Sequence, residues 1–133
     1  MSADAEARRR RKLADLAAGH RGEDLALQLA VARGWQPWLR QVRVGRTEID
    51  LALLRDDPQG RHLLLVEVKT TRGAGVDHAL RWGAAQQQRL WRAAEPLMEQ
   101  ANAGDVSAAL VLVRLASDHH TVTWLDAPAE LGF

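Results

Sequence analysis

A strand that is apolar on both faces and ends in charged residues constrains the fold of this chain more than any other feature. Leu63-Leu64-Leu65-Val66 offers no polar position, so other parts of the protein must cover both faces, which indicates a buried, central strand. Glu67-Val68-Lys69 follows directly, and Glu67 and Lys69 share a face because alternate residues of a strand point the same way. Burying such charges is costly unless something compensates them, and a divalent cation with a nucleic-acid phosphate would do so.

This strand is predicted to pair with the strand before it in an antiparallel hairpin. Thr47–Leu54 and Arg61–Thr70 are the two strands, and Asp56-Asp57-Pro58-Gln59-Gly60 between them has turn-forming residues throughout. A direct register places Asp50 opposite Glu67, with both carboxylates on one face near the same end of the hairpin. A slip of two residues would keep the same faces, so the alternation leaves that register open. The other face is predicted to be wholly apolar, with Ile49, Leu51, Leu53, Leu64, Val66 and Val68.

The rest of the sequence predicts a mixed β-sheet flanked by helices, in the α/β class. Helices are predicted at Ala5–Ala18 and Glu23–Arg33, with Gly19 and Gly22 as interruptions between them, and at Ala79–Ala103, where Pro96 kinks or divides the helix. Strands are predicted at Trp35–Val44, Val106–Leu115 and Thr121–Leu125, and Pro37 indicates an edge position for the first of them. We expect a single domain over residues 1–133, with residues 1–12 as a basic terminus that frays.

The composition is that of an ordinary globular chain, with 47% hydrophobic and 26% charged residues. The chain has no cysteine, which excludes disulfides, zinc–thiolate sites and thiol catalysis. No apolar run approaches the roughly 18 residues of a membrane span, and the charged N-terminus lacks the apolar segment of a signal peptide. These observations predict no membrane partner and a cytoplasmic location.

Arginine and lysine residues crowd around the acidic strands, although the formal net charge of the whole chain is only +1. Guanidinium groups suit phosphate, so these side chains are compatible with a nucleic-acid partner. They are Arg40, Arg43, Arg46, Arg55, Arg61, Lys69 and Arg72. A second basic run, Arg8-Arg9-Arg10-Arg11-Lys12, is flanked by acidic residues, and a solvated helix face or a frayed terminus explains it better than a binding arm.

Asp50, Glu67 and Lys69 are candidate catalytic residues of a phosphodiester hydrolase. Hydrolysis at neutral pH needs a hard cation that polarises the phosphate and lowers the pKa of an attacking water. Mg²⁺ and Mn²⁺ favour carboxylate and carbonyl oxygens, which Asp50, Glu67 and the backbone carbonyl of Val68 would provide. Lys69 could hold the attacking water or stabilise negative charge in the transition state. The simpler explanation is an exposed strand end with an ordinary Glu–Lys pair.

The motifs Glu48-Ile49-Asp50-Leu51 and Val66-Glu67-Val68-Lys69 resemble the PD-(D/E)XK nuclease superfamily. More narrowly, the chain resembles the YraN-like family of small bacterial proteins regarded as endonucleases, which is related to archaeal Holliday junction resolvases. Gly22-Glu23 matches a helical Gly-Glu of that family, Gly34-Trp35 matches a helix-ending glycine and an aromatic residue, and Arg43 matches an arginine before the acidic strand. The resemblance covers most of the chain.

The resemblance implies a restriction-endonuclease-like fold in which Asp50, Glu67 and Lys69 form the catalytic core. It also implies that Glu23 is the helix carboxylate that reaches the metal, whereas the residues alone explain Glu23 equally well as an acid at a helix N-terminus. Two positions depart from the family pattern, because Thr47 replaces a glycine and Gln86 replaces a lysine that many members carry. The candidate nucleic-acid-binding residues are Arg43, Arg46, Arg72, Gln86 and Gln87.

The sequence therefore predicts a Mg²⁺- or Mn²⁺-dependent endonuclease that hydrolyses DNA phosphodiester bonds, with branched or structured DNA among its candidate substrates. DNA is favoured over RNA, and a homodimer would supply two sites for cutting two strands. The first alternative is a nucleic-acid-binding protein of the same fold with little or no activity, which the Gln86 departure favours. The second is a scaffold whose apolar strands and tryptophan-bearing helix form an oligomer interface.

Overall fold

The computed structural model describes residues 2–73 and 83–127, and within these residues the chain forms two helices and five strands. In chain order they are α1 (Ala3–Ala32), β1 (Gln36–Val44), β2 (Thr47–Asp57), β3 (Gly60–Arg72), α2 (Ala84–Ala101), β4 (Asp105–Leu115) and β5 (His120–Asp126). Every strand predicted from the sequence is observed at the expected place. Residues 79–82 of the helix predicted at Ala79–Ala103 lie outside the described residues.

The strands of the described residues form one mixed sheet in the order β1-β2-β3-β4-β5. β3 and β4 are parallel, with α2 in the connection between them, and the other neighbouring pairs are antiparallel. β1 is an edge strand, as Pro37 predicted. This architecture confirms the predicted α/β class with a mixed sheet flanked by helices, and it is consistent with a restriction-endonuclease-like fold.

One helix packs on each face of the sheet, so the central strands are buried on both sides, as their apolar sequence requires. The cluster on the α1 side contains Ala26, Ala30, Leu51, Leu53, Leu64, Val66, Ala109, Val111 and Val113. The cluster on the α2 side contains Ile49, Ala52, Leu63, Leu65, Leu90, Trp91, Ala93, Ala94, Leu97 and Ala108. Alternate residues of β3 therefore enter opposite clusters, which fixes the register of the strand relative to both helices.

The β2–β3 hairpin has the direct register predicted from the sequence, from Leu51 opposite Val66 to Asp57 opposite Gly60. The predicted facing of Ile49 is wrong, however, because Ile49 packs on the α2 side although Leu51 packs on the α1 side. The alternation of β2 is interrupted between these two residues, where the neighbouring strand β1 contains Gln41 with a φ of 51°. Such a left-handed residue breaks the two-residue repeat of a strand, and no apolar pattern signals it.

Helix α1 is continuous, which corrects the predicted interruption at Gly19 and Gly22. Gly22 is buried against β3, and a Cβ atom placed on it would lie only 1.9 Å from the Thr70 Oγ1 atom. The glycine is therefore required by the close approach of the helix to the sheet, and it does not mark a break. Gly19 has no atom within 4 Å of the corresponding position.

Helix α2 also continues through its proline, so the predicted division at Pro96 is wrong, and the structure leaves the milder alternative of a kink untested. Pro96 is exposed, and it removes only one backbone hydrogen bond from the helix. Asn102 ends α2 in the left-handed conformation, with φ of 57°. Neither helix of the described residues is both long and apolar enough to cross a membrane.

Candidate active site

Strands β2 and β3 separate just beyond the last pair of their ladder, Leu51 and Val66, and the two candidate acids lie at this point. The Asp50 side chain reaches into the gap, where its Oδ2 atom accepts a hydrogen bond of 2.7 Å from the backbone N–H of Val68. The carboxylate thus takes the place of a strand partner for Val68. A residue in an extended strand directs its N–H and C=O to the same side, so the Val68 carbonyl also faces this gap.

Glu23 lies in the middle of α1, is only 8% exposed, and has two hydrogen-bond partners from β1. The Arg40 Nε atom donates to Glu23 Oε1 at 3.1 Å, and the Gln41 Nε2 atom donates to Glu23 Oε2 at 2.6 Å. An effect of the helix N-terminus cannot explain this position, because α1 begins at Ala3. Sequence reasoning missed Gln41 as a partner of Glu23, since the contact depends on the left-handed backbone of Gln41.

The pKa of Asp50 is raised to about 6 from its ordinary value of 3.8, chiefly by burial and also by the negative charges of Glu23, Glu67 and Glu48. The hydrogen bond from Val68 acts in the opposite direction, but it does not offset burial. The structure therefore brings Asp50 close to the two other predicted acids, Glu23 and Glu67. A carboxylate with a raised pKa beside other acids is an environment that a cation would stabilise.

Glu67 and Lys69 share a face of β3, as the sequence predicted from their spacing. Leu63 and Leu65 precede them at the same alternation and pack on the α2 side, so Glu67 and Lys69 belong to that side, opposite α1. Lys69 Nζ lies 3.8 Å from Glu67 Oε1, and the side chains are 43% and 21% exposed. Such an exposed pair contributes little to stability, and the ammonium group remains accessible to a ligand.

The oxygen atoms of Asp50, Glu67 and Val68 form a donor set suited to a hard cation. Within residues 2–73 and 83–127, no three Asp, Glu, His or Cys side chains are arranged as a complete metal site. Mg²⁺ does not require such a set, because it retains several waters and is commonly held by one or two carboxylates together with substrate phosphates. The oxygen atoms of Asp50, Glu67 and Val68 therefore suit Mg²⁺ or Mn²⁺, whereas both carboxylate oxygens of Glu23 already accept hydrogen bonds from Arg40 and Gln41.

The three candidate arginines are exposed around this end of the sheet. Arg43 Nη2 lies 3.5 Å from Glu48 Oε2, and Arg46 lies in the two-residue turn between β1 and β2. Arg72, at the end of β3, forms an ion pair with Asp15 of α1, with 2.5 Å between Nη2 and Oδ1. All three could meet phosphates without burial of their charge.

The two candidate glutamines occupy different environments at the start of α2. Gln86 caps the helix, because its Oε1 atom accepts a hydrogen bond of 3.1 Å from the backbone N–H of Gly83. Gln87 is only 6% exposed and faces the protein interior, and its Oε1 atom has no hydrogen-bond partner among the described residues. Gln87 is therefore not at the surface, whereas Gln86 is half-exposed with its Oε1 atom engaged, and its contact with nucleic acid stays a prediction.

Comparison with known proteins gives one match at the level of a family. The model of the uncharacterised protein family UPF0102 matches residues 22–115, which include α1 from Gly22, the acidic hairpin, α2 and β4. Glu23, Asp50, Glu67 and Lys69 all lie within the matched region. No curated protein matches the chain.

Proposed function

The chain belongs to the uncharacterised protein family UPF0102, the YraN family that its motifs resemble, and we propose that it is a metal-dependent nuclease that hydrolyses DNA phosphodiester bonds. The observation that carries this proposal is the Asp50 carboxylate at the point where β2 and β3 separate. It is partly buried, accepts a hydrogen bond from the Val68 N–H, and is close enough to Glu67 for the Glu67 charge to raise its pKa. Branched or structured DNA is the substrate class that we propose to test first.

Asp50, Glu67 and the Val68 carbonyl are the proposed metal ligands. Mg²⁺ or Mn²⁺, when bound, would polarise the scissile phosphate and lower the pKa of the attacking water. The chain itself must present two ionised carboxylates, and the raised pKa of Asp50 means that it ionises fully only above about pH 6 in the absence of a cation. Activity that increases as the pH rises through this range is therefore expected.

Lys69 is proposed to stabilise the negative charge that develops on the phosphate in the transition state. Its side chain is 43% exposed and its ammonium group lies beside Glu67, so it can approach a phosphate bound at the same place. Glu23 is proposed to act as a positioning residue, because its contacts hold Arg40 and Gln41 next to the interrupted pair of strands.

Cleavage of branched, nicked and single-stranded DNA in the presence of Mn²⁺ tests the proposal. We expect Asp50→Ala and Glu67→Ala to lower the cleavage rate by roughly 100-fold or more, since a lost metal ligand removes several kcal/mol of transition-state stabilisation. Glu48→Gln is the matched control, because it removes one carboxylate from the exposed side of the same hairpin and leaves the proposed ligands intact. Unchanged cleavage by Asp50→Ala would contradict the proposal.

A second function, DNA binding without cleavage, is supported by the state of Gln86. The family commonly carries a lysine at this position, whereas here a neutral side chain uses its carbonyl oxygen to cap α2. An inactive DNA-binding protein would show salt-dependent binding, no cleavage with any divalent metal, and equal binding by the wild type and Glu67→Gln.

A further inference from the structure

The N-terminal half of α1 is not buried. The helix has 30 residues, yet Ala18 is the first that is buried, and within residues 3–17 Asp15 contacts Arg72 of β3. Residues 3–17, called the basic arm below, span about 22 Å at 1.5 Å per residue. They also precede the region that matches the family model, which begins at residue 22. The arm is therefore a feature of this chain whose role the matched region does not explain.

Some cations of the arm lie on the side of α1 that faces the sheet, and others lie on the opposite side. The buried residues of α1 include Ala18, Gly22, Ala26 and Ala30, which repeat every four residues and mark the side that faces the sheet. Asp15 continues this stripe toward the N-terminus, and its ion pair with Arg72 of β3 confirms the direction.

Three cations continue the same stripe past the end of the sheet. Steps of three and four residues from Asp15 lead to Arg11, Lys12 and Arg8, which we call the sheet-side cations. Arg9 and Arg10 are turned away from this stripe by roughly 100° or more, because successive residues differ by about 100° around a helix. The sequence run alone could not show this difference, since it reads as five equivalent charges.

The arm leaves the domain at the end of the sheet that carries the candidate site. Gly22 packs against Thr70, and Asp15 reaches Arg72, so α1 runs antiparallel to β3 and passes beyond its C-terminal end. Lys69 lies just before these two β3 residues. Arg8 precedes Glu23 by roughly 15 residues, which places it about 22 Å along the helix axis from the acidic site.

The electrostatics of the arm favour a polyanion. All five residues from Arg8 to Lys12 are exposed, and no carboxylate among the described residues forms an ion pair with them. Asp4 and Glu6 occupy the first turn of α1, where acids complement the helix dipole, and the cations begin beyond them. Arginine side chains in this setting suit the closely spaced phosphates of duplex DNA.

We propose that Arg8, Arg11 and Lys12 bind the phosphate backbone of DNA that enters the acidic site, on the flank about five to six base pairs away. Their distances along the helix from Glu23, roughly 16 to 22 Å at 1.5 Å per residue, correspond to this at about 3.4 Å per base pair. The inference rests on the proposed function, since it takes the substrate of the acidic site to be duplex DNA. The sheet-side cations position that duplex by contacts to phosphate and do not read its sequence.

Binding of a fluorescent duplex of about 20 base pairs at several salt concentrations, without divalent metal, tests the inference. We compare R8Q/R11Q with R9Q/R10Q, which removes the same charge from the opposite side of the same helix. Glutamine has nearly the helix propensity of arginine, and circular dichroism checks that α1 is retained. R8Q/R11Q should lower the slope of log K against log salt by about 2, whereas R9Q/R10Q should change it by less than about 0.5.

The outcomes separate this inference from the proposed function. The proposed role of the arm would be refuted if the two double variants had equal effects, or if R8Q/R11Q bound DNA as the wild type does. The cleavage assay would then still decide whether the protein is a nuclease. If only R8Q/R11Q lowered the slope of log K against log salt, and the protein cleaved no DNA with Mn²⁺, the role of the arm in DNA binding would be supported and the proposed nuclease activity refuted. A wild type that binds no duplex at low salt would refute the inference about the arm, and the cleavage assay with Mn²⁺ would decide the nuclease proposal separately.

Discussion

Replacing Asp50 by asparagine should stabilise the metal-free protein at about pH 8 and change its stability little near pH 4. The pKa of Asp50 is raised in the folded protein to about 6, from an ordinary value of 3.8. The folded state therefore holds a proton where the unfolded state has released it, and stability is lost as the pH rises through this window. Asparagine carries no charge, and its carbonyl oxygen can still accept the Val68 hydrogen bond.

The size of the effect follows from the difference between the two pKa values. A shift of about two units corresponds to about 3 kcal/mol at 1.36 kcal/mol per unit. Asp50 is only partly buried, so solvent screening reduces this figure, and we expect a gain of about 1–3 kcal/mol at pH 8. For a domain of this size, that gain raises the midpoint of thermal unfolding by roughly 4–10 °C.

Urea denaturation of the wild type and Asp50→Asn at about pH 8 and about pH 4 measures the difference directly. Glu48→Gln removes a neighbouring but exposed carboxylate, and it should change the free energy of unfolding by less than about 0.5 kcal/mol at either pH. The reasoning would be refuted if Asp50→Asn were less stable than the wild type at pH 8. It would also be refuted by an equal gain at both pH values, because such a gain would not come from the titration of Asp50.

Two further predictions concern parts of the fold away from the proposed metal ligands. Gly22→Ala should lower the free energy of unfolding by about 1–3 kcal/mol, because its Cβ would clash with Thr70. Gly19→Ala has open space around it and should raise the free energy of unfolding by about 0.5–1 kcal/mol. Chemical denaturation measures both, and equal effects of the two variants would contradict the packing of Gly22 against Thr70. His62 contacts Asp105 and Asp57, which hold its pKa above the ordinary range. Stability should therefore fall as the pH rises through that raised pKa, and His62→Gln should abolish this dependence in denaturation measured between about pH 6 and 9.

The sheet could be predicted from the sequence because its information is local. Apolar residues at every position of 63–66 require burial on both faces, and turn residues at 56–60 fix the hairpin and its register. The hairpin register also brings Asp50 and Glu67 to the same end, just beyond the last pair of the ladder, although the alternation of β2 is interrupted at Asp50.

The parts that could not be predicted depend on contacts between distant residues. The change in the facing of Ile49 and the contact of Gln41 with Glu23 both occur where Gln41 has a left-handed backbone, which no local pattern indicates. The continuity of α1 depends on the packing of Gly22 against Thr70, so a glycine that resembles a helix break is a point of close contact.

At Val68 the proposed function belongs to the backbone, so it does not depend on which side chain stands there. Its side chain packs on the α1 side and constrains the choice to apolar residues, while its N–H holds Asp50 and its carbonyl is a proposed ligand. Substitution by isoleucine or leucine would leave both backbone groups in place, so a mutational scan would classify this position as ordinary core. Proline lacks the N–H, so among the natural residues it alone would remove the hydrogen bond that the backbone at position 68 donates to Asp50.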